Sequence, residues 1–205
     1  MRIFIYVTIG SLLVCVCLIA QGPLPGDVQV TRTLQSIFGN APPWAQLLTN
    51  TAKIPVLWGT LVAAILLAFV HGGWRSAIIP APALILAQML DALLRGLLIA
   101  PRPTADLVAV ATPSMSSGLP STFGLVYGAL FGVAVCLTPN RNIRAVTASA
   151  FALFLIFAGG SARIVLGGHW ASQIVASTFI GLSLAAIIQL IIKMWNIGYR
   201  TARQP

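Results

Sequence analysis

Charged side chains are scarce in this 205-residue sequence, and acidic ones are nearly absent. Only 7% of the residues are charged and 58% are apolar, whereas roughly a quarter of an ordinary soluble domain is charged. Such a chain cannot cover itself with polar groups, which excludes a soluble globular protein. The sequence contains twelve basic and three acidic residues, but it offers no soluble basic surface that could bind nucleic acid. We therefore predict an integral membrane protein with membrane lipids around it.

Cysteine is also rare, and its spacing is not typical of a metal site or a disulfide framework. Cys15, Cys17 and Cys136 lie inside apolar stretches, where a small thiol side chain indicates a packed interior. We expect no metal and no cofactor.

Long apolar runs dominate the sequence instead. A helical span needs about twenty apolar residues. The runs that approach this length are residues 3–20, 54–70, 78–98, 121–137, 145–158 and 170–192. We predict an all-α fold, a polytopic membrane bundle of about six transmembrane helices that forms one domain over residues 1–205. The first run could instead be a cleaved signal peptide, because Arg2 precedes an apolar stretch that ends in small residues.

Basic residues indicate the orientation in the membrane, because they concentrate at cytoplasmic span ends. One set of ends carries Arg2, Arg75, Arg141, Arg144, Lys193, Arg200 and Arg203. The opposite set carries Arg32, Lys53, Arg95, Arg102 and Arg163. We expect a bacterial inner-membrane protein with both termini on the cytoplasmic side. The second set then faces the periplasm or exterior.

An outward linker, residues 22–53, joins the first two spans. Residues 28–38 and 44–48 are expected to form short helices at the membrane surface, separated by prolines. We interpret the linker as a structured connector; the alternative is a binding lid.

Three arginines and one histidine stand at outward span ends. Arg95 and Arg102 are seven residues apart, which is two turns along one face if the third helix persists. Arg163 ends the fifth span, and His169 stands at the start of the sixth. Singly, each arginine could reach lipid phosphates and His169 could bond a carbonyl. Together, at one depth, they predict a phosphate site.

The fourth span begins on the same side. Pro120 fixes its entry, and Ser121 and Thr122 are suitable N-cap residues. The free backbone N–H groups of a helix start favour an anion.

The order of these residues resembles the three-part signature of the type 2 phosphatidic acid phosphatase and vanadium haloperoxidase superfamily. The parts read Arg-x6-Arg-Pro from Arg95, Pro-Ser from Pro120 and Arg-x5-His from Arg163, within residues 95–173. The resemblance implies a phosphatase core at the outward face of the bundle.

The resemblance also implies roles for single residues. His169 would attack phosphorus and form a phosphohistidine. The phosphate oxygens would be held by Arg95, Arg102, Ser121, Thr122 and Arg163.

The sequence departs from the family pattern at four positions within the second and third parts. The second part normally ends in Gly-His, whose histidine protonates the leaving group, but Thr122 and Phe123 stand here. The aspartate expected four residues after the nucleophile is Gln173. It shares a helical face with His169, so its carbonyl can accept the Nδ1–H and serve catalysis. Ala162 replaces a serine.

Three functions follow as hypotheses. The first is a lipid phosphatase or phosphotransferase that acts on a lipid phosphate or diphosphate, such as a polyprenyl diphosphate. The second is a degenerate protein that binds such lipids without turnover. The third is a transporter or channel, which the lack of an acidic relay beyond Asp91 disfavours.

A replacement proton donor is a further open point. Asp106 lies on the outward side but could equally be an ion-pair partner. His71 lies at the opposite face, and Asp91 most simply neutralises Arg95.

Overall fold

A computed structural model describes residues 2–111, 113–136 and 142–201. Within these residues the chain forms helices, turns and irregular loops without strands, which confirms the all-α fold. The helices are α1 (Arg2–Ala20), α2 (Asp27–Phe38), α3 (Pro43–Asn50), α4 (Val56–Gly72), α5 (Trp74–Ala77), α6 (Pro80–Leu97), α7 (Thr122–Cys136), α8 (Ile143–Val165) and α9 (Ala171–Thr201).

Helices α1, α4, α6, α7, α8 and α9 correspond to the predicted spans. Four segments of the described chain are long and apolar enough to cross a membrane: Ile3–Ala20, Trp74–Leu97, Ile143–Val165 and Ala171–Trp195. Helix α4 and the segment Thr122–Val135 of α7 are apolar but shorter. The chain is an integral membrane helical bundle. Leu137, Arg141 and Arg203, which entered the span and orientation predictions, lie outside the described residues.

Two helix ends differ from the prediction. Helix α8 runs to Val165, past the end of the fifth apolar run at residue 158, because its two glycines allow close packing instead of ending the helix. Helix α6 stops at Leu97, so Arg95 and Arg102 do not share a helical face. Pro101 and Pro103 lie in the irregular segment after α6, where proline disfavours helix.

Helix α7 lies at the centre of the bundle and packs closely on α9. A Cβ atom at Gly128 would lie 2.4 Å from the Thr178 carbonyl oxygen, and one at Gly181 would lie 2.3 Å from that of Leu125. Such small residues let membrane helices approach backbone to backbone. This contact fixes the start of α7 beside the start of α9. Of the cysteines, Cys17 is buried as expected, whereas Cys15 is exposed on the outer surface of α1, which corrects its predicted interior position.

The two connector helices exist as predicted and dock on the α8–α9 turn. The Asp27 carboxylate accepts the Ser172 amide at 2.9 Å and the Ser172 hydroxyl at 2.6 Å. The Gln35 side chain donates to the Val165 carbonyl at 3.0 Å. Ala45 of α3 packs in one buried cluster with Ala162 of α8. The connector therefore braces the end of the bundle where α8 turns into α9.

Candidate functional site

A cavity of about 410 Å³ lies beside the end of α6, the start of α7 and the α8–α9 turn. Its walls come from the connector, α6, the loop after α6, α7, α8 and the α8–α9 turn. The lining residues are Thr49, Ala52, Lys53, Arg95, Arg102, Pro113, Ser114, Ser116, Thr122, Phe123, Arg163 and His169. Four of these are basic and none is acidic, so the cavity suits an anion. The structure thus brings five of the sequence-predicted site residues to one cavity.

His169 is held in the tight turn between α8 and α9. The turn depends on Gly167, whose φ of 63° lies in the left-handed region. A Cβ atom at Gly167 would also lie 2.3 Å from the Ala109 carbonyl oxygen. The turn buries the imidazole of His169, leaving it 3% exposed.

Hydrogen bonds define the tautomer of His169. Its Nδ1 lies 2.9 Å from the Gly118 carbonyl oxygen. A carbonyl can only accept, so Nδ1 carries the proton and Nε2 keeps its lone pair. Nε2 lies 3.2 Å from Nη1 of Arg102, whose N–H donates to it. The nitrogen that can act as a nucleophile therefore lies next to a guanidinium.

The surroundings of His169 keep its imidazole neutral. Burial lowers the pKa of His169 well below its usual value, and the positive charges of Arg163 and Arg102 lower it further. A neutral imidazole at neutral pH has the unprotonated nitrogen that nucleophilic attack requires.

Arg102 is anchored by the loop that follows α6. Its Nε donates to the Ser116 carbonyl at 2.7 Å, its Nη2 to the Ser116 hydroxyl at 2.8 Å and its Nη1 to the Gly168 carbonyl at 2.8 Å. Burial and the charges of Arg163 and Arg95 lower the pKa of Arg102 to about 10. The guanidinium stays charged at neutral pH, and a bound anion would relieve its repulsion by Arg163 and Arg95.

Arg95 is oriented by a carboxylate and a hydroxyl. Its Nη2 lies 2.7 Å from Asp91 Oδ1 and 2.6 Å from Thr122 Oγ1. The Thr122 hydroxyl lies 3.1 Å from both carboxylate oxygens of Asp91 and donates to that carboxylate. The prediction that Asp91 neutralises Arg95 is confirmed. Thr122 lines the cavity but its proton is engaged by Asp91, so it positions Arg95.

Arg163 differs from the other two arginines. Its guanidinium packs against Gly168, where an added Cβ atom would lie 2.7 Å from Nη2. Among the residues that the structure describes, no hydrogen bond or ion pair engages this guanidinium. Its donors are therefore available to an anion in the cavity.

Two predicted site residues do not reach the cavity. Ser121 is fully buried; its amide donates to the Ser177 hydroxyl at 2.8 Å, and its own hydroxyl accepts the Gly124 amide at 3.5 Å. It caps α7, as predicted, but the expectation that it binds phosphate is not met. A fully buried side chain that caps its own helix cannot also point at a ligand.

The expected contact between Gln173 and His169 is also wrong. Gln173 is buried, donates its Nε2 to the Pro101 carbonyl at 2.7 Å and accepts the Trp170 amide at 3.2 Å. The Gly118 carbonyl takes the place beside Nδ1 that Gln173 was expected to fill. A Cβ atom at Gly118 would lie 2.5 Å from Gln173 Nε2. Gln173 thus supports the loop that orients His169.

Phe123 stands where the family pattern has its proton-donating histidine. Its ring stacks on Tyr127 with centroids 4.0 Å apart. An added Cβ atom at Gly159 would lie 2.2 Å from the ring. The phenylalanine therefore fills the space over the α8 glycine, and it offers no proton.

Among the described residues, Asp106 takes neither of its two predicted roles, proton donor at the cavity or ion-pair partner. Its carboxyl is exposed, and a hydrogen bond from Thr104 lowers its pKa. It does not line the cavity, and it makes no ion pair within the described residues. His71 also lies away from the lining residues.

The sequence did not predict that the connector and the loop after α6 contribute residues to the cavity. Lys53 and Thr49 reach the cavity from the connector, and Ser114 and Ser116 reach it from the loop after α6. Lys53 had a usable signal, because it was the fourth basic residue at an outward span end. The hydroxyl residues had none, since serine and threonine are common in any polar loop.

Comparison with known proteins identifies the family and a similar fold. The family model described as the PAP2 superfamily matches residues 76–197, which include every part of the three-part pattern. A crystal structure of a transmembrane PAP2-type phosphatidylglycerolphosphate phosphatase from Bacillus subtilis has a similar fold, with a TM-score of 0.65. The match has 16% sequence identity and covers 94% of this chain and 96% of that chain. The comparison with curated proteins found no match. Since the family model spans more than half of the sequence, the chain belongs to the PAP2 superfamily.

Proposed function

We propose that this chain is a membrane lipid phosphatase or phosphotransferase that removes a phosphate from a lipid phosphate or diphosphate through a phosphohistidine at His169. The observation that carries the proposal is the neutral imidazole of His169, whose Nε2 lone pair lies in a cavity beside three guanidiniums. Positioning and charge neutralisation supply most of the catalysis of phosphoryl transfer. Arg95, Arg102 and Arg163 provide both.

The reaction proceeds in two balanced steps. Nε2 of His169 attacks the terminal phosphorus, a P–N bond forms, and the bond to the leaving oxygen breaks with its electron pair on that oxygen. The Gly118 carbonyl, which accepts the Nδ1–H, stabilises the positive charge on the ring. Water then attacks phosphorus, the P–N pair returns to Nε2, and one water proton passes to solvent.

Because Phe123 cannot donate a proton, the reaction rate depends strongly on the leaving group. A missing general acid typically lowers a rate by ~10²–10⁴. A substrate whose leaving group is a lipid alkoxide loses this whole factor. A phosphate leaves readily without protonation. Diphosphate lipids, such as a polyprenyl diphosphate, are therefore the favoured substrates.

A second candidate function is binding of the same lipids without turnover. The apolar Phe123 ring in place of a proton donor, together with the buried Gln173, supports it. Phosphate release distinguishes the two functions.

The test is phosphate release by purified protein from monophosphate and diphosphate lipids with the same tail. We expect the diphosphate to react faster by more than ~10². His169→Ala should abolish release, and Arg163→Ala should lower both affinity and rate. Arg144→Ala, an exposed arginine at the start of α8, is the matched control and should match the parent.

Unchanged release by the His169 variant would exclude the phosphohistidine route. Lipid binding by the parent without release would favour the second candidate.

We also propose that the cavity faces the periplasm or exterior of an inner membrane and that both termini are cytoplasmic. The distribution of basic residues between the two sets of span ends supports this orientation.

A further inference from the structure

One wall of the cavity is not used by the chemistry proposed at His169. Thr49, Ala52 and Lys53, at the junction of α3 and α4, form it. Lys53 is exposed, and no hydrogen bond or ion pair engages its ammonium group within the part of the chain that the structure describes. An unpaired ammonium at a cavity wall is available to a ligand.

This wall stands beside Phe123. Ala52 packs in the same buried cluster as Phe123 and Tyr127. The Thr51 hydroxyl is also hydrogen bonded to the Tyr127 hydroxyl. The α3–α4 junction is therefore anchored to the first turns of α7, and Lys53 is held on the side of the cavity that lacks a proton donor.

Thr49 adds a second, independent observation. It is 6% exposed and lines the cavity, and its hydroxyl has no hydrogen-bond partner among the described residues. Buried hydroxyl groups nearly always have a partner. A ligand oxygen in the cavity would supply the one that Thr49 lacks.

Charge indicates what this wall would bind. Asp91 offsets one of the three arginine charges, which leaves a net charge of two, and Lys53 raises it to three. A phosphate monoester carries about 1.5 to 2 negative charges at neutral pH, and a diphosphate carries more. The arginines alone match a single phosphate, and the added lysine matches a second one.

We propose that Lys53 and Thr49 form a second anion subsite, which holds the leaving phosphate of a diphosphate while the arginines hold the phosphate that is transferred. The inference rests on the proposed function and names its substrate-determining residues. When the bond from phosphorus to the bridging oxygen breaks, the electron pair stays on that oxygen. The ammonium of Lys53 neutralises this charge, and no proton has to move.

Binding to the full-length protein in detergent tests the subsite without relying on turnover. The probes are inorganic phosphate and methylenediphosphonate, whose bridging carbon cannot be cleaved, measured by titration calorimetry. Lys53→Gln should weaken methylenediphosphonate about tenfold or more, the scale of one charge-assisted hydrogen bond. Inorganic phosphate, held by the arginines, should be nearly unaffected.

Two further variants and one control sharpen the result. Lys53→Arg keeps the charge and should restore most of the diphosphonate affinity. Thr49→Val removes only the hydroxyl and should weaken the diphosphonate selectively. Lys193→Gln, an exposed lysine far from the lining residues, should bind both probes like the parent.

An equal loss of both probes in Lys53→Gln, or no loss of either, would overturn the second subsite. Failure of the proposed function is a separate result, namely no phosphate release by the parent from any lipid. Selective loss of diphosphonate would stand even then, because it does not depend on catalysis.

Discussion

At the scale of single residues, the carbonyl of Gly118 decides which nitrogen of His169 is free. It accepts the Nδ1 proton and so leaves the lone pair on Nε2, within the cavity. In the sequence this role was given to Gln173, because the fourth residue after a helical histidine shares its face. A backbone carbonyl of a distant loop cannot be read from helical periodicity.

The neutral state of His169 can be measured by titration. Burial and the charges of Arg163 and Arg102 hold its pKa well below the usual histidine value of about 6.5, so the imidazole should stay neutral at a pH where an ordinary histidine is already protonated. Because the folded pKa is depressed, the neutral ring contributes stability above the unfolded pKa, and this contribution is lost as the pH falls through the folded one. NMR of the imidazole Cε1 signal, in a tag-free His71→Asn protein, reports this one histidine.

The Arg163→Gln variant is the internal control for this titration. It removes the largest charge effect on His169 and should move the midpoint upward. A midpoint near 6.5 in the parent, unchanged by the variant, would contradict the charge argument.

Gln173 should matter for stability through its amide. Gln173→Glu keeps an acceptor for the Trp170 amide but loses the donor to the Pro101 carbonyl, and it buries a carboxylate beside a carbonyl oxygen. We expect a loss of at least about 1–3 kcal/mol, the cost of an unsatisfied buried group. Thermal unfolding in detergent measures it.

The matched control is Gln21→Glu. The side-chain amide of Gln21 donates to two carbonyl oxygens, but Gln21 is exposed, so water can replace the lost bonds. Equal destabilisation by both variants would show that burial of Gln173 does not set the cost.

At the scale of elements, the close α7–α9 contact holds the site together. Gly128→Ala would place a methyl group 2.4 Å from the Thr178 carbonyl oxygen and 3.1 Å from Gly181 Cα. Because both neighbours are backbone atoms, the helices must separate, and we expect a cost of about 1–3 kcal/mol. The unfolding temperature in detergent should fall by several degrees, and phosphate release should fall with it.

Gly59→Ala provides the comparison within a neighbouring apolar helix. Nothing lies within 4 Å of a Cβ atom at Gly59, and alanine favours helix over glycine. This variant should be as stable as the parent or slightly more so. A similar loss at both glycines would point to an effect of helix propensity instead of packing.

At the scale of the whole molecule, the proposed orientation has both termini on the cytoplasmic side of the membrane and the cavity on the other side. Met115, in the loop by the cavity, and Ile143, at the start of α8, are both highly exposed. In a variant without native cysteines, Met115→Cys should react with an impermeant maleimide on intact cells. Ile143→Cys should react only after lysis. The reverse pattern would invert the proposed orientation.

The sequence predicted the helices well because long apolar runs report directly on membrane spans. It also identified Arg95, Arg102, Arg163 and His169, since polar residues at span ends are few. It could not show that α6 stops before Arg102 or that Ser121 is buried away from the cavity, because both depend on tertiary packing. Lys53 was visible as a charge, but its place beside Phe123 required the fold of the connector.

The contact between Arg102 and His169 couples nucleophile reactivity to ligand charge. An Arg102 N–H is hydrogen bonded to the Nε2 lone pair that attacks phosphorus in the proposed function. A phosphate oxyanion is a stronger partner for a guanidinium N–H than a neutral imidazole is. In the proposed function an arriving phosphate would therefore take over this one hydrogen bond and free Nε2, while the bonds to Ser116 and Gly168 keep Arg102 in place. An uncharged electrophile would not compete for the guanidinium, so Nε2 of His169 would stay hydrogen bonded to Arg102. In the proposed function, selection for an anionic headgroup would therefore precede any recognition of the lipid tail.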